Sequence, residues 1–394
     1  MKIKCKPDDF RVEELTTCEA GSVGEFTYYQ LEKRSIGTPE ALKQLCTAWR
    51  VDQKRVRYGG LKDRHAHTMQ YLTIEHGPQR DYQDQLISVR CLGKLQEPFG
   101  PQSFHGNHFT IVMRDVSKEE YPLIMHELEA INQTLIGNYF DDQRFGSVSS
   151  DQQYVVRALI DGNEELALRL ALTTYYEHDK SKEKRAKQLL TQEWGNWKSL
   201  SNKLPPGYLQ GIARHLAQQP DDYRRAFTLI PYFLRNMYLS AYQSHLWNRM
   251  LHAWIMTHFP QEHSGFIQQK HHQLAMPGLL DEETRIQLKE LTIPLPSSRC
   301  EPLAGHPAEE AIQSVLAQEG LSMKAIQLKQ YREPFFSKGN RNAFYQPAEF
   351  AFETGWDKLH KGHRKITMKF SLPRGSYATL LVKRVTTWKR ISES

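Results

Sequence analysis

The segment at residues 59–70 has the residue types and spacing most suited to chemistry. It reads Gly-Gly-Leu-Lys-Asp-Arg-His-Ala-His-Thr-Met-Gln, so the carboxylate of Asp63 lies among basic side chains. Basic neighbours favour the ionised form of a carboxylate, which a nucleophile or a general base requires. Residues 69–74 alternate between polar and apolar, which predicts a strand. We therefore expect Asp63 to lie in a glycine-led turn beside a sheet, and the alternative is a solvated surface aspartate paired to Lys62.

A second segment, residues 137–146, combines side chains suited to nucleotide recognition. Asn138, Phe140 and Arg144 lie close together there, with a glycine at each end of the segment. An amide can read a base edge, an aromatic face can stack on a base turned out of its helix, and a guanidinium can hold a phosphate. The alternative is a polar loop whose rings at Phe140 and Phe145 fold inward.

A third segment, residues 239–248, has the spacing of a helix. Leu239, Tyr242 and Leu246 form an apolar stripe, which favours a helix that faces the core. Gln243 and Asn248 would then face a partner domain or RNA. The basic run at residues 180–187 favours a solvated helix face, and the alternative is a surface that adds salt-dependent affinity for RNA.

The composition is that of a globular protein with a basic surplus. Its 394 residues suffice for two domains, and a formal net charge of +7 suits an anionic partner such as RNA or DNA. No apolar run approaches the length of a membrane span, and the basic N-terminus lacks the apolar segment of a signal peptide. Five widely spaced cysteines without a Cys-x-x-Cys pair indicate a reducing compartment, so we expect a cytoplasmic protein.

The sequence lacks the common cofactor motifs. It contains no His-Glu-x-x-His, no deaminase-type zinc signature, no phosphate-binding Gly-x-x-x-x-Gly-Lys-Ser/Thr and no Rossmann fingerprint in a strand–helix context. These absences favour an enzyme that needs neither a metal nor a nucleotide cofactor.

Strand patterns flank a helical middle. This distribution predicts a sheet domain interrupted by an inserted domain. Apart from residues 69–74, strands are predicted at 26–31, 110–114, 364–370 and 377–383. Helices are predicted at 39–51, 121–135, 154–176, 221–254 and 308–330, with irregular loops and short strands at 257–307.

Several ordered segments together resemble the TruD family of pseudouridine synthases. Residues 60–70 match the family signature Gly-x-Lys-Asp-x-x-Ala-x-Thr-x-Gln, and further blocks match in order at residues 7–14, 106–109, 138–146, 239–248 and 371–379. Two positions depart from the family pattern, because Asp8 replaces Glu and Asp141 replaces a usual Gly. A glycine is placed where the backbone needs an unusual φ, so Asp141 puts the conformation of that loop in question.

The resemblance implies an α+β chain with the pseudouridine synthase fold, in which a mostly antiparallel, bipartite sheet is flanked by helices. It implies a discontinuous catalytic domain at residues 1–147 plus 339–394, interrupted by an inserted TRUD domain at residues 148–338. The implied reaction is the isomerisation of uridine to pseudouridine at position 13, in the D arm of tRNA. No cofactor takes part, and we expect a monomer.

The resemblance also implies roles for individual residues. Asp63 would be the catalytic carboxylate, Lys4 its cationic partner, and Phe140 the ring on which the flipped base stacks. Asn138 would contact the substrate or orient Asp63, and Phe10 would line the pocket. Lys62 would meet phosphate or support the structure, and Arg144 would hold a phosphate. The alternatives are a synthase of the same family that acts on another RNA, and a non-catalytic RNA-binding protein.

Overall fold

The computed structural model describes residues 1–149, 151–176, 179–270, 272–301, 303–331 and 335–390. The chain folds into two compact units. The first unit comprises Met1–Ile136, Leu279–Asp281 and Tyr345–Thr387. The second comprises Gly137–Gly278, Glu282–Phe344 and the described residues from Trp388 onward.

The elements have the following bounds in chain order. The strands are β1 (Phe10–Thr16), β2 (Phe26–Arg34), β3 (Val56–Tyr58), β4 (His67–Glu75), β5 (Tyr82–Gln83), β6 (Ile87–Leu95), β7 (Phe104–Val116), β8 (Ile136–Gly137), β9 (Ser264–Gln268), β10 (Gln273–Pro277), β11 (Thr292–Pro294), β12 (Asn340–Asn342), β13 (Phe344–Tyr345), β14 (Ala348–Trp356), β15 (Arg364–Pro373) and β16 (Lys389–Arg390). The helices are α1 (Thr38–Trp49), α2 (Glu120–Ala130), α3 (Val155–Ile160), α4 (Glu164–Thr173), α5 (Ser181–Gln192), α6 (Trp197–Lys203), α7 (Tyr208–Gln218), α8 (Tyr223–Thr228), α9 (Tyr232–His258), α10 (Glu282–Lys289), α11 (Glu309–Gln318) and α12 (Ala378–Thr387).

A large sheet forms the centre of the first unit. Its strand order is β14-β15-β7-β1-β4-β2-β6-β5, with β3 paired to β4. Among the described strands of this sheet, β1 and β4 run parallel, and the other pairs are antiparallel. The predicted α+β class with a mostly antiparallel sheet flanked by helices is therefore confirmed.

One face of this sheet is covered by α1. Its side chains at Leu42, Leu45 and Trp49 are buried in one cluster with strand residues such as Leu31 and Ile74. Their spacing of three and four residues places them on one face of the helix, which is why the apolar pattern of this segment predicted it. Full burial of each aliphatic side chain stabilises the fold by about 1.5–3 kcal/mol.

The second unit is largely helical. Its longest helix, α9, buries Leu239, Tyr242 and Leu246, so the predicted core-facing stripe is confirmed. Short strands accompany the helices, with β9 paired to β10 and β16, and β11 paired to β12. Among the described residues, no helix combines the length and hydropathy that a bilayer crossing requires.

Several predicted helices are shorter than expected or are broken. The segment 154–176 forms α3 and α4, separated by a turn in which Gly162 has a φ of 76°. The segment 308–330 is helical only in α11, and 121–135 ends in a short 3₁₀ turn after α2. Within the loops predicted at 257–307, the helix α10 was missed.

The strand predicted at residues 377–383 is wrong, because this segment forms α12. Ala378, Leu381, Val382 and Val385 are all buried, and their spacing is that of one helix face. The helix packs against α2, where buried Arg384 pairs with Glu127. The local polar–apolar alternation obscured this longer period.

Candidate active site

The turn that carries Asp63 connects β3 to β4 in the first unit. Its backbone is held by side chains from the core. The hydroxyl of Thr38 accepts a hydrogen bond from the amide of Lys62 at 3.0 Å and donates to Oε1 of Gln70 at 2.8 Å. The side-chain amide nitrogen of Gln70, Nε2, in turn donates to the carbonyl of Gly60 at 3.2 Å. Because Thr38 and Gln70 are completely buried, the turn before Asp63 is fixed to the core.

The two glycines of this turn have different reasons to be there. A Cβ on Gly59 would approach the ring of Phe104 to 2.6 Å, so the ring leaves no room for a side chain at that position. A Cβ on Gly60 would meet no atom within 4 Å. The close approach to Phe104 therefore explains Gly59.

Lys62 points into the structure from the position before Asp63. Its ammonium lies 2.5 Å from Oε1 of Glu14, which is completely buried, and Oε2 of Glu14 accepts the amide of Tyr71 at 2.8 Å. The Lys62 side chain is only 8% exposed. This ion pair links the turn to β1 and β4, and the predicted contact of Lys62 with phosphate stays untested.

Lys4 is the cation beside Asp63. Its Nζ lies 2.8 Å from Oδ2 of Asp63, and each side chain is about a quarter exposed, at 25% and 26%. The same Nζ lies 4.1 Å from the ring centroid of Phe10, which is buried. Lys4 has a φ of 60°, a left-handed conformation that costs a non-glycine residue about 1–3 kcal/mol. The structure thus brings together Asp63, Lys4 and Phe10, all of which the sequence had singled out.

The segment that carries Lys4 is anchored by a buried ion pair. Arg114 on β7 donates to both oxygens of Asp9, at 2.7 and 2.9 Å, and to Asp357 at 2.9 Å. Asp9 also accepts the amide of Lys6 at 2.9 Å. A bidentate guanidinium–carboxylate contact fixes orientation as well as distance, so the chain around Lys4 is tied to the sheet.

Lys33 is a functional candidate that the sequence reasoning missed. Its side chain is buried, and its Nζ donates to the carbonyls of Ile36 at 2.8 Å and of Asp63 at 2.7 Å. Burial lowers the pKa of Lys33 from 10.5 to about 8, against the opposing effect of the Asp63 charge. The strand pattern of β2 carried a signal for this residue. Lys33 follows Tyr29 and Leu31 at a spacing of two residues, so it lies on the same buried face of the strand.

Ion pairs at the rim of the turn are more exposed. Arg64 pairs with Glu40, and both side chains are about half exposed. Asp8, one of the two departures from the resemblance, accepts from Arg34 and lies 3.0 Å from Nδ1 of His67. The shorter carboxylate is therefore accommodated at this position.

In the second unit, the ring of Phe140 is surrounded by an indole and two guanidinium groups. It meets Trp247 edge to face at a centroid distance of 5.6 Å, and the guanidinium of Arg341 lies 4.2 Å from its centroid. Arg144 lies at 5.2 Å. Phe140 is 8% exposed, so the inward fold given as the alternative for this ring describes the structure.

The main chain of Phe140 is held by two buried amides. Asn248 on α9 accepts the amide of Phe140 and donates to its carbonyl, both at 2.8 Å, and Gln269 donates to the same carbonyl at 3.0 Å. Gln243 donates to the carbonyls of Pro296 and Ser337 inside the unit. Both amides therefore satisfy buried backbone groups of the second unit, and the expectation that Gln243 and Asn248 face a partner domain or RNA stays a prediction.

Arg341 on β12 connects Asn138 to the ring of Phe140. It donates to the Asn138 carbonyl and to Asn138 Oδ1, both at 2.8 Å. Nδ2 of Asn138 donates to the carbonyl of Asn342 at 3.0 Å. No motif in the sequence marked Arg341, because its partners come from a distant part of the chain.

Asp141 does not need the conformational freedom of a glycine. Its φ of −92° and ψ of 172° are open to any residue. Its Oδ1 accepts the amide of Asp142 at 2.8 Å and the side chain of Gln269 at 3.1 Å. Asp141 therefore caps the 3₁₀ turn that carries Arg144, and the concern about this loop is resolved.

The model of the family described as tRNA pseudouridine synthase D (TruD) matches residues 1–385 of the chain. The chain belongs to the TruD family of tRNA pseudouridine synthases. The tRNA pseudouridine synthase D of Aquifex aeolicus is 27% identical over 392 residues and covers 98% of each chain. A relative from Methanocaldococcus jannaschii, assigned as tRNA pseudouridine synthase D 2, is 30% identical over 98% of this chain and 91% of its own.

The fold is also that of a solved TruD structure. A crystal structure assigned to tRNA pseudouridine synthase D from Methanosarcina mazei superposes with a TM-score of 0.73. That protein is 25% identical, and the match covers 98% of this chain and 93% of that one.

The TruD blocks of the first unit lie on adjacent strands. The blocks that begin at residues 7, 60, 106 and 371 contribute to β1, β4, β7 and β15, which are neighbours in the order β15-β7-β1-β4. Phe109 on β7 pairs with Val12 on one side and with Phe370 on the other. The TruD residues that are distant in sequence thus meet in one part of the sheet.

No group of three or more His, Cys, Asp or Glu side chains suited to a metal ion occurs among the described residues of this TruD chain. The Asp63 site is formed by side chains of the first unit, and Asn138, Phe140 and Arg144 belong to the second unit.

Proposed function

We propose that this chain isomerises uridine 13 in the D arm of tRNA to pseudouridine, with Asp63 as the catalytic carboxylate. The observation that carries the proposal is the pair of Asp63 and Lys4, held on a fixed turn in a chain of the TruD family. The side chain of Asp63 is about a quarter exposed, so its carboxylate is open to a nucleotide. The ammonium of Lys4 favours the charged form of this carboxylate.

The reaction needs one well-placed carboxylate. The bond between N1 and C1′ of the uridine breaks, the uracil turns in place, and C5 bonds to C1′, so no atom is gained or lost. Asp63 can add to C1′, add to the uracil ring or remove a sugar proton, and each route needs an ionised carboxylate close to the nucleotide. Lys4 favours that ionised form, which all three routes require.

Residues around the turn act by positioning Asp63. The ammonium of Lys33 donates a hydrogen bond to the carbonyl of Asp63, and Lys62 joins the turn to the buried carboxylate of Glu14. A carboxylate held on a rigid support keeps its reacting oxygen in place, which is worth a large part of a barrier in oriented reactions.

The second unit supplies the groups proposed to receive the flipped base. Stacking on an aromatic ring returns about 1–3 kcal/mol of the free energy spent on extruding a base. Phe140 is the proposed ring, with Asn138 as a contact to the substrate and Arg144 as a contact to phosphate. Because Phe140 is 8% exposed, stacking on its face requires a covering guanidinium of Arg341 or Arg144 to move aside.

The same proposal assigns residues 1–147 and 339–394 to the catalytic domain and residues 148–338 to the inserted domain. The test is to map pseudouridine in tRNA incubated with the purified chain and with Asp63→Asn, which is nearly isosteric. We expect pseudouridine at position 13 with the unchanged chain only, while the variant still binds tRNA. Glu40→Gln is the matched control, because it removes an exposed carboxylate paired to the neighbouring Arg64 and should keep full activity. Substantial turnover by Asp63→Asn would rule out the assigned role, and modification at another position would rule out uridine 13.

A further inference from the structure

The second unit contains a cavity of about 360 Å³ that the proposed function does not use. It is lined by His245, Asn248 and His252 of α9 and, from the β9–β10 hairpin, by Gln269, His272 and Leu274. Its volume falls within the roughly 300–1,000 Å³ range of small-molecule pockets. The cavity is therefore large enough for a planar ligand the size of a nucleobase.

The rings of His245, His252 and His272 line the cavity, and each packs against a further ring. The ring of His245 lies 4.6 Å from Tyr154 at an interplanar angle of 31°, and 5.8 Å from His272 at 39°. The ring of His252 is stacked on that of Phe266 at 6.1 Å with an angle of 12°. Such a series of rings offers flat faces on which another flat ring can stack.

The histidines that are buried around the cavity are uncharged at neutral pH. Burial lowers the pKa of His245 to about 3 and also lowers the pKa of His252. Nδ1 of His252 accepts the amide of Ala275 at 3.2 Å, which leaves its proton on Nε2. The cavity lining therefore presents neutral imidazoles with both donor and acceptor nitrogens.

The charges around the cavity also favour a neutral ligand. None of the described residues that line it is an aspartate or a glutamate. The guanidinium of Arg249 is engaged by Glu319 and by Gln318, the latter at 2.6 Å. Neutral donors and acceptors beside flat apolar faces are the features by which proteins bind unstacked bases.

The cavity shares two side chains with the support of Phe140. Asn248 and Gln269 line it, and both hold the main chain of Phe140 by hydrogen bonds. A ligand in the cavity therefore contacts the residues that fix the proposed stacking ring.

We propose that this cavity binds a second base of the tRNA, distinct from the uridine that is isomerised. The proposal rests on the proposed function, because it takes its ligand from the same RNA. The second base is extruded from the RNA and stacks against the rings of His245 and His272.

The test uses tRNA transcripts in which single nucleotides of the D arm are replaced by abasic sites, one at a time. Gln273 is an exposed residue of the cavity lining, so Gln273→Trp adds a bulky ring to that lining without repacking the core. Gln313→Trp, at an exposed position of α11, is the matched control. The dissociation constant of each transcript and the rate of pseudouridine formation are measured for the three proteins.

One abasic position other than the target should weaken binding to the unchanged chain by about 5- to 150-fold, as expected for one stacked base. Gln273→Trp should weaken binding of intact tRNA by a similar factor and lose its sensitivity to that abasic position. Gln313→Trp should behave like the unchanged chain. The proposal is overturned if no such position exists, if Gln273→Trp matches the control, or if the two changes act independently. Pseudouridine formation by the unchanged chain shows in each case whether the proposed function itself holds.

Discussion

The ammonium of Lys4 lies 2.8 Å from the carboxylate of Asp63, although 59 positions separate them in the chain. Lys4 reaches this place in a left-handed backbone conformation, from a segment tied to β7 through Asp9 and Arg114. The two partners come from separate segments of the chain. The fold of the sheet therefore brings Lys4 and Asp63 together.

Loss of the Lys4 ammonium should lower the rate of pseudouridine formation at neutral pH. In Lys4→Met, Asp63 loses the cation that lies 2.8 Å from its Oδ2, so the carboxylate is positioned less precisely and we expect about a tenfold loss of rate. Lys4→Arg should retain much of the rate. Lys6→Met is the control, because Lys6 is exposed in the same segment. A rate for Lys4→Met equal to that of the unchanged chain would contradict this role.

Replacement of the Phe140 ring should impair capture of the base. Phe140→Leu keeps most of the buried volume, so its effect on the free energy of unfolding should stay below about 1.5 kcal/mol. The single-turnover rate should fall by about 5- to 150-fold, since a stacked base is worth about 1–3 kcal/mol. An unchanged single-turnover rate, measured in a variant of normal stability, would leave Phe140 with a packing role alone.

Lys33 should position Asp63 without stabilising the fold. In Lys33→Met the carbonyl of Asp63 loses its donor, and we expect a reduction of at least about fivefold in the single-turnover rate. The free energy of unfolding should not fall in proportion, because a buried charge is removed as well. Lys43→Met, at an exposed position of α1, is the control. If the single-turnover rate of Lys33→Met falls only as far as its fraction of folded protein, Lys33 serves folding alone.

The lowered pKa of Lys33 gives a definite dependence of stability on pH. Between its pKa of about 8 in the fold and its ordinary value of 10.5, the unfolded chain holds a proton on Lys33 that the folded chain has released. The contribution of this residue to the free energy of unfolding therefore rises with pH across that window. Chemical denaturation of the unchanged chain and Lys33→Met at pH 7.5 and pH 10 should reveal this difference, which would be missing if Lys33 titrated normally.

The basic run on α5 should add salt-dependent affinity for tRNA through its exposed members. Lys182, Lys184 and Arg185 are exposed, whereas Lys187 is buried and pairs with Asp179 at 2.6 Å. Exchange of Lys182, Lys184 and Arg185 for glutamine should make the plot of log affinity against log salt shallower, by up to about 0.9 for each phosphate that is no longer neutralised. An unchanged slope would identify this run as a solvated face. Lys187→Gln should affect stability instead.

Local patterns in the sequence predicted the elements that carry the site. The alternation in β2 and β4 and the apolar face of α1 are set by neighbouring residues, so they could be read directly. The residues that organise the site could not, because Lys33 and Arg341 act on carbonyls and rings brought to them by the fold. In α12 a local alternation concealed a helical period, because the partner of its buried face, α2, is remote in sequence.

The order of strands in the central sheet has a consequence for synthesis on the ribosome. β7 pairs with β1, which is made before it, but its other edge is completed by β15, which starts only at Arg364. At about 5–20 residues per second, translation of the intervening chain takes on the order of tens of seconds. Throughout that interval the nascent chain carries an open β7 edge, which is a ready template for pairing with other nascent chains. Truncation before β15 should therefore yield an aggregation-prone product.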